Sequence, residues 1–409
     1  MTLTSYGSTL VTPPPQARRG IALCLSGGGF RAALFHLGAV RRLYELGLLQ
    51  QVDTITAVSG GTLAAAHLAQ HCPGWRTPKP RTDWWEATIA APFRAFVSRN
   101  LSAWPVLKGL FHPYSNVGVE ALARRIESRL TPLRLDQLPE KPRFIFCASD
   151  LVSGLNYFFE RGRKGGRPSG VTTVAHASAV SACHPVFLRP YTEKWPQRIA
   201  LVDGGVFDDR GIEPVWKDHR TLLVSDSGDV LRPQRADSLF WPLARSVAVI
   251  WDRYQLVQQR WLVDRFRDDP SDQGGAFWSI GGAVEHFRDP GNPALPGYSA
   301  ALARDTIAPI RTDYDAFSAA EAAVLENHGY LLANAAAQVH LTAMQPLATP
   351  LQIPHPAWMP DRLVRDALRD SSRKKLFGRG FLDLRGDAPA PSEVRAVPDC
   401  GAAIEPTTS

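Results

Sequence analysis

The stretch Ile21-Ala-Leu-Cys-Leu-Ser-Gly-Gly-Gly-Phe-Arg31 decides how this chain is read. An apolar run, Ile21–Leu25, ends in glycines and reads as a buried strand. From Arg31 to Leu46 apolar residues recur at Leu34, Phe35, Leu37, Val40, Leu43 and Tyr44. That spacing predicts a helix with one broad buried face, stopped at Gly47. Thr54–Val58 reads as a second strand and Gly61–Gln70 as a second helix. Strand, helix and strand at this spacing imply a parallel pair with a right-handed crossover. Phe144–Ala148, Arg198–Val202 and Thr221–Ser225 read as further strands. The class is α/β, with a central, mostly parallel sheet covered by helices.

Three short motifs carry chemistry. In Gly27-Gly28-Gly29, successive backbone N–H groups can turn toward one point at the start of a helix. Such a loop suits an anion, either an oxyanion in acyl transfer or a phosphate. A nucleotide loop fits poorly, because no Lys-Ser/Thr follows and no acidic residue closes the second strand. The second motif is Thr56-Ala-Val-Ser59-Gly-Gly61. A serine between a strand and a small-residue helix is held on a sharp turn with its hydroxyl exposed. Alone, Ser59 is as readily an N-cap. The third is Ile199-Ala-Leu-Val-Asp203-Gly-Gly205. A carboxylate at a crowded strand end can take a hydroxyl proton directly. A turn aspartate satisfied by its own backbone competes evenly with that reading. The histidines share no motif with these segments.

Composition sets the outer bounds. With 409 residues and 44% apolar content, the chain can bury a large core. Charged residues make up 21%, which argues against wholesale disorder. The net charge of +7 favours anionic partners. No recognisable nucleic-acid module stands behind that charge, so no nucleic-acid partner is expected. Cys24, Cys72, Cys147, Cys183 and Cys400 are scattered without a CxxC pair. They form neither a disulfide framework nor a zinc site, and a reducing compartment fits them. Met1–Gly20 has no apolar region ahead of a cleavage site, and no long apolar run occurs elsewhere. Neither a signal peptide nor a transmembrane helix is expected. The expectation is a cytoplasmic protein that acts on lipid, if at all, from the membrane surface.

Ser26-Gly-Gly-Gly-Phe-Arg31, Ala57-Val-Ser-Gly-Gly61 and Asp203-Gly-Gly205 together resemble the patatin-like phospholipase family. These are lipid acyl hydrolases with a Ser-Asp dyad, related in fold to cytosolic phospholipase A enzymes. Ala148-Ser-Asp-Leu-Val-Ser-Gly154 and the segment from Ala177 to Phe187 resemble the family's inner strands and helix. The resemblance implies a three-layer α/β/α sandwich, with a helical insert and a helical C-terminal extension. It implies Ser59 as nucleophile and Asp203 as base. Gly27, Gly28 and Gly29 would form the oxyanion hole. Arg31, Ala57, Gly60, Gly61, Gly204 and Gly205 would support the site. No metal or cofactor is implied. The implied partner is a phospholipid or other acyl-ester lipid, with transient contact to an anionic membrane surface. Ala57 stands where the family's elbow usually has glycine, and Ala32 where glycine commonly follows the arginine. Both are small. A small-ester or thioester hydrolase on the same dyad, or a catalytically weak lipid-binding protein, would carry the same motifs.

The chain divides into a flexible arm over 1–20 and a catalytic core over 21–235. A helical extension over 236–345 is expected to pack on the core, ahead of a Pro-rich, partly disordered segment over 346–409. An aromatic helical insert, about 80–125, includes Trp84–Phe111. Aromatic stripes at helical spacing are usually core, although Arg94 and Arg99 also suit a headgroup boundary. Leu239–Phe266 reads as a long helix bearing Arg245, Arg253, Arg260 and Arg265. Phe317–Leu341 and Asp361–Lys375 read as further helices. Arg161-Gly-Arg-Lys-Gly-Gly-Arg167 reads as a basic, flexible loop, and Arg373-Lys-Lys375 with Arg379 as a second basic cluster. Either could meet anionic lipid or simply be solvated.

Overall fold

The structure, a computed structural model, describes residues 18–77, 80–101, 115–185, 188–194, 198–228, 241–268, 272–287 and 295–372, with isolated positions beyond them. A 10-stranded sheet forms its centre. The strands are β1 (Ile21–Leu25), β2 (Thr54–Val58), β3 (Arg143–Asp150), β4 (Leu155–Glu160), β5 (Arg163–Lys164), β6 (Arg167–Pro168), β7 (Tyr191–Glu193), β8 (Ile199–Asp203), β9 (Thr221–Asp226) and β10 (Gly274–Ser279). Their order is β10-β9-β1-β2-β3-β4-β5-β6, with β8 paired to β3 and β7 to β8. From β10 to β3 every pair is parallel, and the remaining strands pair antiparallel.

The principal helices are α1 (Gly29–Glu45), α2 (Gly60–Gln70), α3 (Ala91–Val97), α4 (Val117–Arg129), α5 (Val174–Ser181), α6 (Trp241–Asp268), α7 (Ala319–His340) and α8 (Asp361–Ala367). Successive strand residues face opposite ways, so each inner strand feeds two cores. Leu23, Leu25 and Leu223 point into the larger core with α1, α2 and α7. Ala22, Cys24, Leu222 and Val224 point to the other face, where Ile212, Val215 and Leu262 of α6 meet them. Helices on both faces make the three-layer α/β/α arrangement.

The first helix is buried more deeply than its sequence suggests. Every residue of α1 is buried, including Arg31, Arg41, Arg42 and Glu45. The cause is α7, which closes over its outer side. A Cβ on Gly38 would lie 1.8 Å from Glu326 O, and one on Gly329 would lie 1.9 Å from Phe35 O. The two glycines thus let the backbones approach reciprocally. The trapped charges are paired: Arg42 meets Glu45 at 3.1 Å, and Arg41 meets Glu45 at 3.2 Å.

Other expectations change in detail. The helix beginning at Asp361 ends at Ala367 rather than Lys375. The basic stretch from Arg161 to Arg167 folds into the β5–β6 hairpin. The stretch expected to be a helical extension also supplies β10, an edge strand of the main sheet. Gly275 is needed because a Cβ would lie 1.9 Å from Leu222 O. The described part of the aromatic insert is core: Trp85, Ile89, Phe93, Phe96, Val97 and Leu101 are all buried. Residues 102–104 and 106–114 lie outside the described residues, as do 1–17, 373–374 and 381–409. The expectations for most of the arm over 1–20 and for the disordered tail fall on these segments, as do Arg373 and Lys374 of the second basic cluster, whereas its Lys375 and Arg379 lie in a short antiparallel ladder. Among the described residues, no helix is long and apolar enough to cross a membrane.

The helix crossing makes a clear prediction. Gly38→Ala is expected to lower stability by about 3 kcal/mol through overpacking. In an uncrowded helix the same change gains roughly 1 kcal/mol. Chemical denaturation measures the difference, and a stabilising result would refute the close contact.

Candidate active site

The third strand brings the two key side chains together. β2 runs parallel to β3 and ends with Val58 opposite Cys147. β8 runs the opposite way and ends with Asp203 opposite Ala148. The other edge of β3 is taken by β4. β2 and β8 therefore meet end to end along one edge, and their C-termini stop at adjacent positions. Ser59 follows the first and Asp203 closes the second.

Ser59 sits at φ 48° and ψ −120°. That corner is normally reserved for glycine, and a non-glycine residue held there costs about 1–3 kcal/mol. Surrounding bonds hold it. Its amide donates to Ser181 Oγ at 2.8 Å, and Ser181 Oγ donates in turn to Cys147 O at 2.6 Å. Its carbonyl accepts the Thr62 hydroxyl at 2.5 Å. The glycine loop lies directly on the turn. A Cβ on Gly60 would fall 2.0 Å from Gly29 O, and one on Gly61 would fall 2.5 Å from Leu25 O. Ala57 is fully buried within the main core, so its methyl group is accommodated there.

The serine hydroxyl donates to Asp203 Oδ2 at 2.6 Å. Asp203 Oδ1 accepts the Gly205 amide at 2.9 Å. Burial pushes the Asp203 carboxyl up from the usual carboxylate range. The charge of His184, the Ser59 hydroxyl and the Gly205 amide pull it partly back. No histidine among the described residues hydrogen-bonds to Ser59. His36 is engaged with Ser225 Oγ and Ser26 O, and burial lowers it to about 4. A carboxylate in direct contact with a hydroxyl can accept its proton without an imidazole relay.

Of the three loop glycines, one has its amide already engaged. The Gly27 amide already donates to Asp209 O at 2.9 Å. Gly27 is needed for space, since a Cβ would lie 2.3 Å from Asp209 Oδ1 and 3.3 Å from Ser59 Cβ. Gly28 and Gly29 adopt φ 126° and 60°. Among the described residues, no acceptor takes either amide. Both sit at the start of α1, where the helix dipole is positive. Gly204 also needs its missing side chain, because a Cβ would lie 2.3 Å from Cys147 O. At Gly205 a Cβ would lie 2.7 Å from Asp209 Oδ1. Arg31 is buried and anchors the loop. Its guanidinium donates to Ala308 O at 2.8 Å, Ile310 O at 3.0 Å and Ser227 O at 2.6 Å.

Tyr314 was missed from sequence. Its hydroxyl lies 3.1 Å from Ser59 Oγ. Burial and the nearby Asp203 charge push that hydroxyl far up, so it stays protonated. Its ring meets the edge of Phe30, with centroids 5.5 Å apart. Arg311-Thr-Asp-Tyr-Asp315 carries no local motif, and only the tertiary fold brings this tyrosine to the serine. Among the described residues no group of three or more His, Cys, Asp or Glu could hold a metal ion.

Residues 23–216 match the family described as patatin-like phospholipase. No curated protein matches the chain significantly in sequence. Among solved structures, human GIVD cytosolic phospholipase A2 is similar at 14% identity and TM-score 0.38, over 51% of this chain and 43% of that one. The same human enzyme with methyl gamma-linolenyl fluorophosphonate inhibitor and terbium chloride is similar at 14% identity and TM-score 0.46, over 86% and 60%. VipD from Legionella pneumophila is similar at 12% identity and TM-score 0.34, over 80% and 67%. The chain thus spans 43% of the first human chain's length and 60% of the second's.

Two stability measurements check this geometry. Ser59→Gly is expected to be more stable than Ser59→Ala by on the order of 1 kcal/mol, because glycine relieves the backbone strain. Equal stability, or a more stable alanine variant, would show that the turn is unstrained. Asp203 has a folded pKa above its unfolded one. Its contribution to stability is therefore complete below the unfolded value and is lost as pH rises through the folded value. Asp203→Asn is accordingly expected to melt no lower than wild type at neutral pH, and a lower melting temperature would contradict the burial argument.

Proposed function

We propose that the protein is a serine lipid acyl hydrolase of phospholipase A type, working through a Ser59–Asp203 dyad. The observation that carries this reading is the 2.6 Å bond from a strained Ser59 to a buried Asp203. The patatin-like phospholipase match over residues 23–216 supports the lipid substrate class.

In the proposed reaction Asp203 takes the Ser59 proton as Oγ attacks the ester carbonyl carbon. The amides of Gly28 and Gly29 stabilise the tetrahedral oxyanion. Collapse breaks the ester C–O bond, and the leaving alkoxide takes the proton from Asp203. Water, deprotonated by Asp203, then attacks the acyl-enzyme and releases the fatty acid with Ser59 restored. Tyr314 donates a hydrogen bond to Ser59 Oγ or to the leaving oxygen and positions the nucleophile.

Labelling with a fluorophosphonate probe tests the dyad. Wild type is expected to label at Ser59, with no labelling of Ser59→Ala and a loss of at least a hundredfold in Asp203→Asn. Unchanged ester hydrolysis in folded Ser59→Ala would sink the proposal. Tyr314→Phe should slow labelling several-fold, as loss of one hydrogen bond does. The pH profile gives a further check. The base must be ionised, so kcat/KM on a soluble ester should rise with pH along a limb centred above about 4, the ordinary aspartate value. A limb at or below that value would remove Asp203 as the buried base.

A further inference from the structure

Helix α6 covers the second face of the sheet with only part of its circumference. Leu262 and Gln255 are buried and Phe266 is half-buried, so these face inward. On an adjoining side Leu243, Val247, Ile250, Tyr254, Val257 and Trp261 recur at alternating steps of four and three, and Trp261 also meets Trp216 edge-on at 5.4 Å. All six are exposed, with Leu243 at 71%, Ile250 at 69% and Val257 at 65%. The stripe runs about 27 Å at the helical rise. Arg253 and Arg260 are exposed along one flank of it. A continuous apolar stripe of this size on a surface marks an interaction site.

The stripe is tied to the candidate active site. Trp251 of α6 donates its indole N–H to Gly205 O at 2.8 Å, in the turn that follows Asp203. The next residue, Val206, is 47% exposed. The turn from Gly205 to Asp208 packs on β3 and β4. Val206 thus extends the exposed apolar surface to the Asp203 turn.

We propose that α6, with Val206, is the surface that docks the protein on an anionic lipid bilayer. An apolar face flanked by arginines, with Tyr254 and Trp261 in the stripe, matches the chemistry of the headgroup boundary. The chain's charge of +7 complements anionic lipid. A parallel self-pairing along this seam would set Arg260 against Arg265, a like-charge contact that Asp272, paired with Arg265, only partly offsets. The docked orientation places the Asp203 turn at the lipid surface, and that part of the inference rests on the hydrolase reading above. Binding itself does not.

Vesicle co-sedimentation of the full chain tests this, with phosphatidylcholine vesicles with or without phosphatidylglycerol. Wild type is expected to pellet with the anionic vesicles and to be released by salt. Arg253→Gln/Arg260→Gln should bind about 30-fold more weakly. Ile250→Asp/Val257→Asp should not bind measurably. Both variants should keep the wild-type melting temperature and the wild-type rate on a soluble short-chain ester. The surface is overturned if wild type ignores anionic vesicles, or if either variant binds as wild type does. It is also overturned if wild type sediments as a dimer that Ile250→Asp/Val257→Asp converts to monomer, since a second copy then occupies the stripe. Vesicle binding without any ester hydrolysis would leave the docking surface standing and remove the hydrolase reading.

Discussion

The end-to-end meeting of β2 and β8 on one edge of β3 is the constraint from which the site follows. Backbone pairing with β3 sets Val58 at Cys147 and Asp203 at Ala148. Neither loop has to search for the other, because a third strand measures the gap between them. The same ladder explains the lining of the junction. The Cys147 carbonyl accepts Ser181 Oγ, and a Gly204 side chain would collide with it. The Ser59–Asp203 contact is therefore a property of sheet register, and the turns only finish it.

Around that junction the protein accepts unfavourable local terms. Ser59 is held where glycine would rest more easily, and Asp203 is desolvated in a way that disfavours its charge. Both are sustained by packing that leaves little room for relaxation. Gly60 and Gly61 press against the loop before α1, and Arg31 pins that loop to carbonyls at Ala308 and Ile310. Strain and desolvation concentrated at one point, with support from distant segments, is the usual signature of a preorganised centre.

Much of this was legible in the sequence. Ile21–Leu25 and Thr54–Val58 are apolar runs bounded by turn residues, and both strands have the bounds the pattern implies. The reactive side chains stood out because glycine clusters mark backbone that must approach something closely. What stayed hidden depends on partners far away in sequence. β10 begins with glycines that suggest a break, yet Gly275 is small because β9 passes beside it. α1 read as half-buried because nothing local announces that α7 will cover it. Gly27 resembled its neighbours until its amide was found bonded to Asp209 O. Tyr314 belongs to no motif at all, and its value lies wholly in where the fold delivers it.

The burial of α1 between the sheet and α7 has a consequence for synthesis. The family match ends at residue 216, yet β1 needs β9 as its second neighbour, and α1 needs α7 as its roof. The carbonyls that receive Arg31 lie at 308 and 310, and the hydroxyl beside Ser59 belongs to residue 314. A nascent chain that carries both Ser59 and Asp203 still lacks these pieces. The centre is finished only when the residues through His340 have left the ribosome and folded back, well over a hundred residues after Asp203.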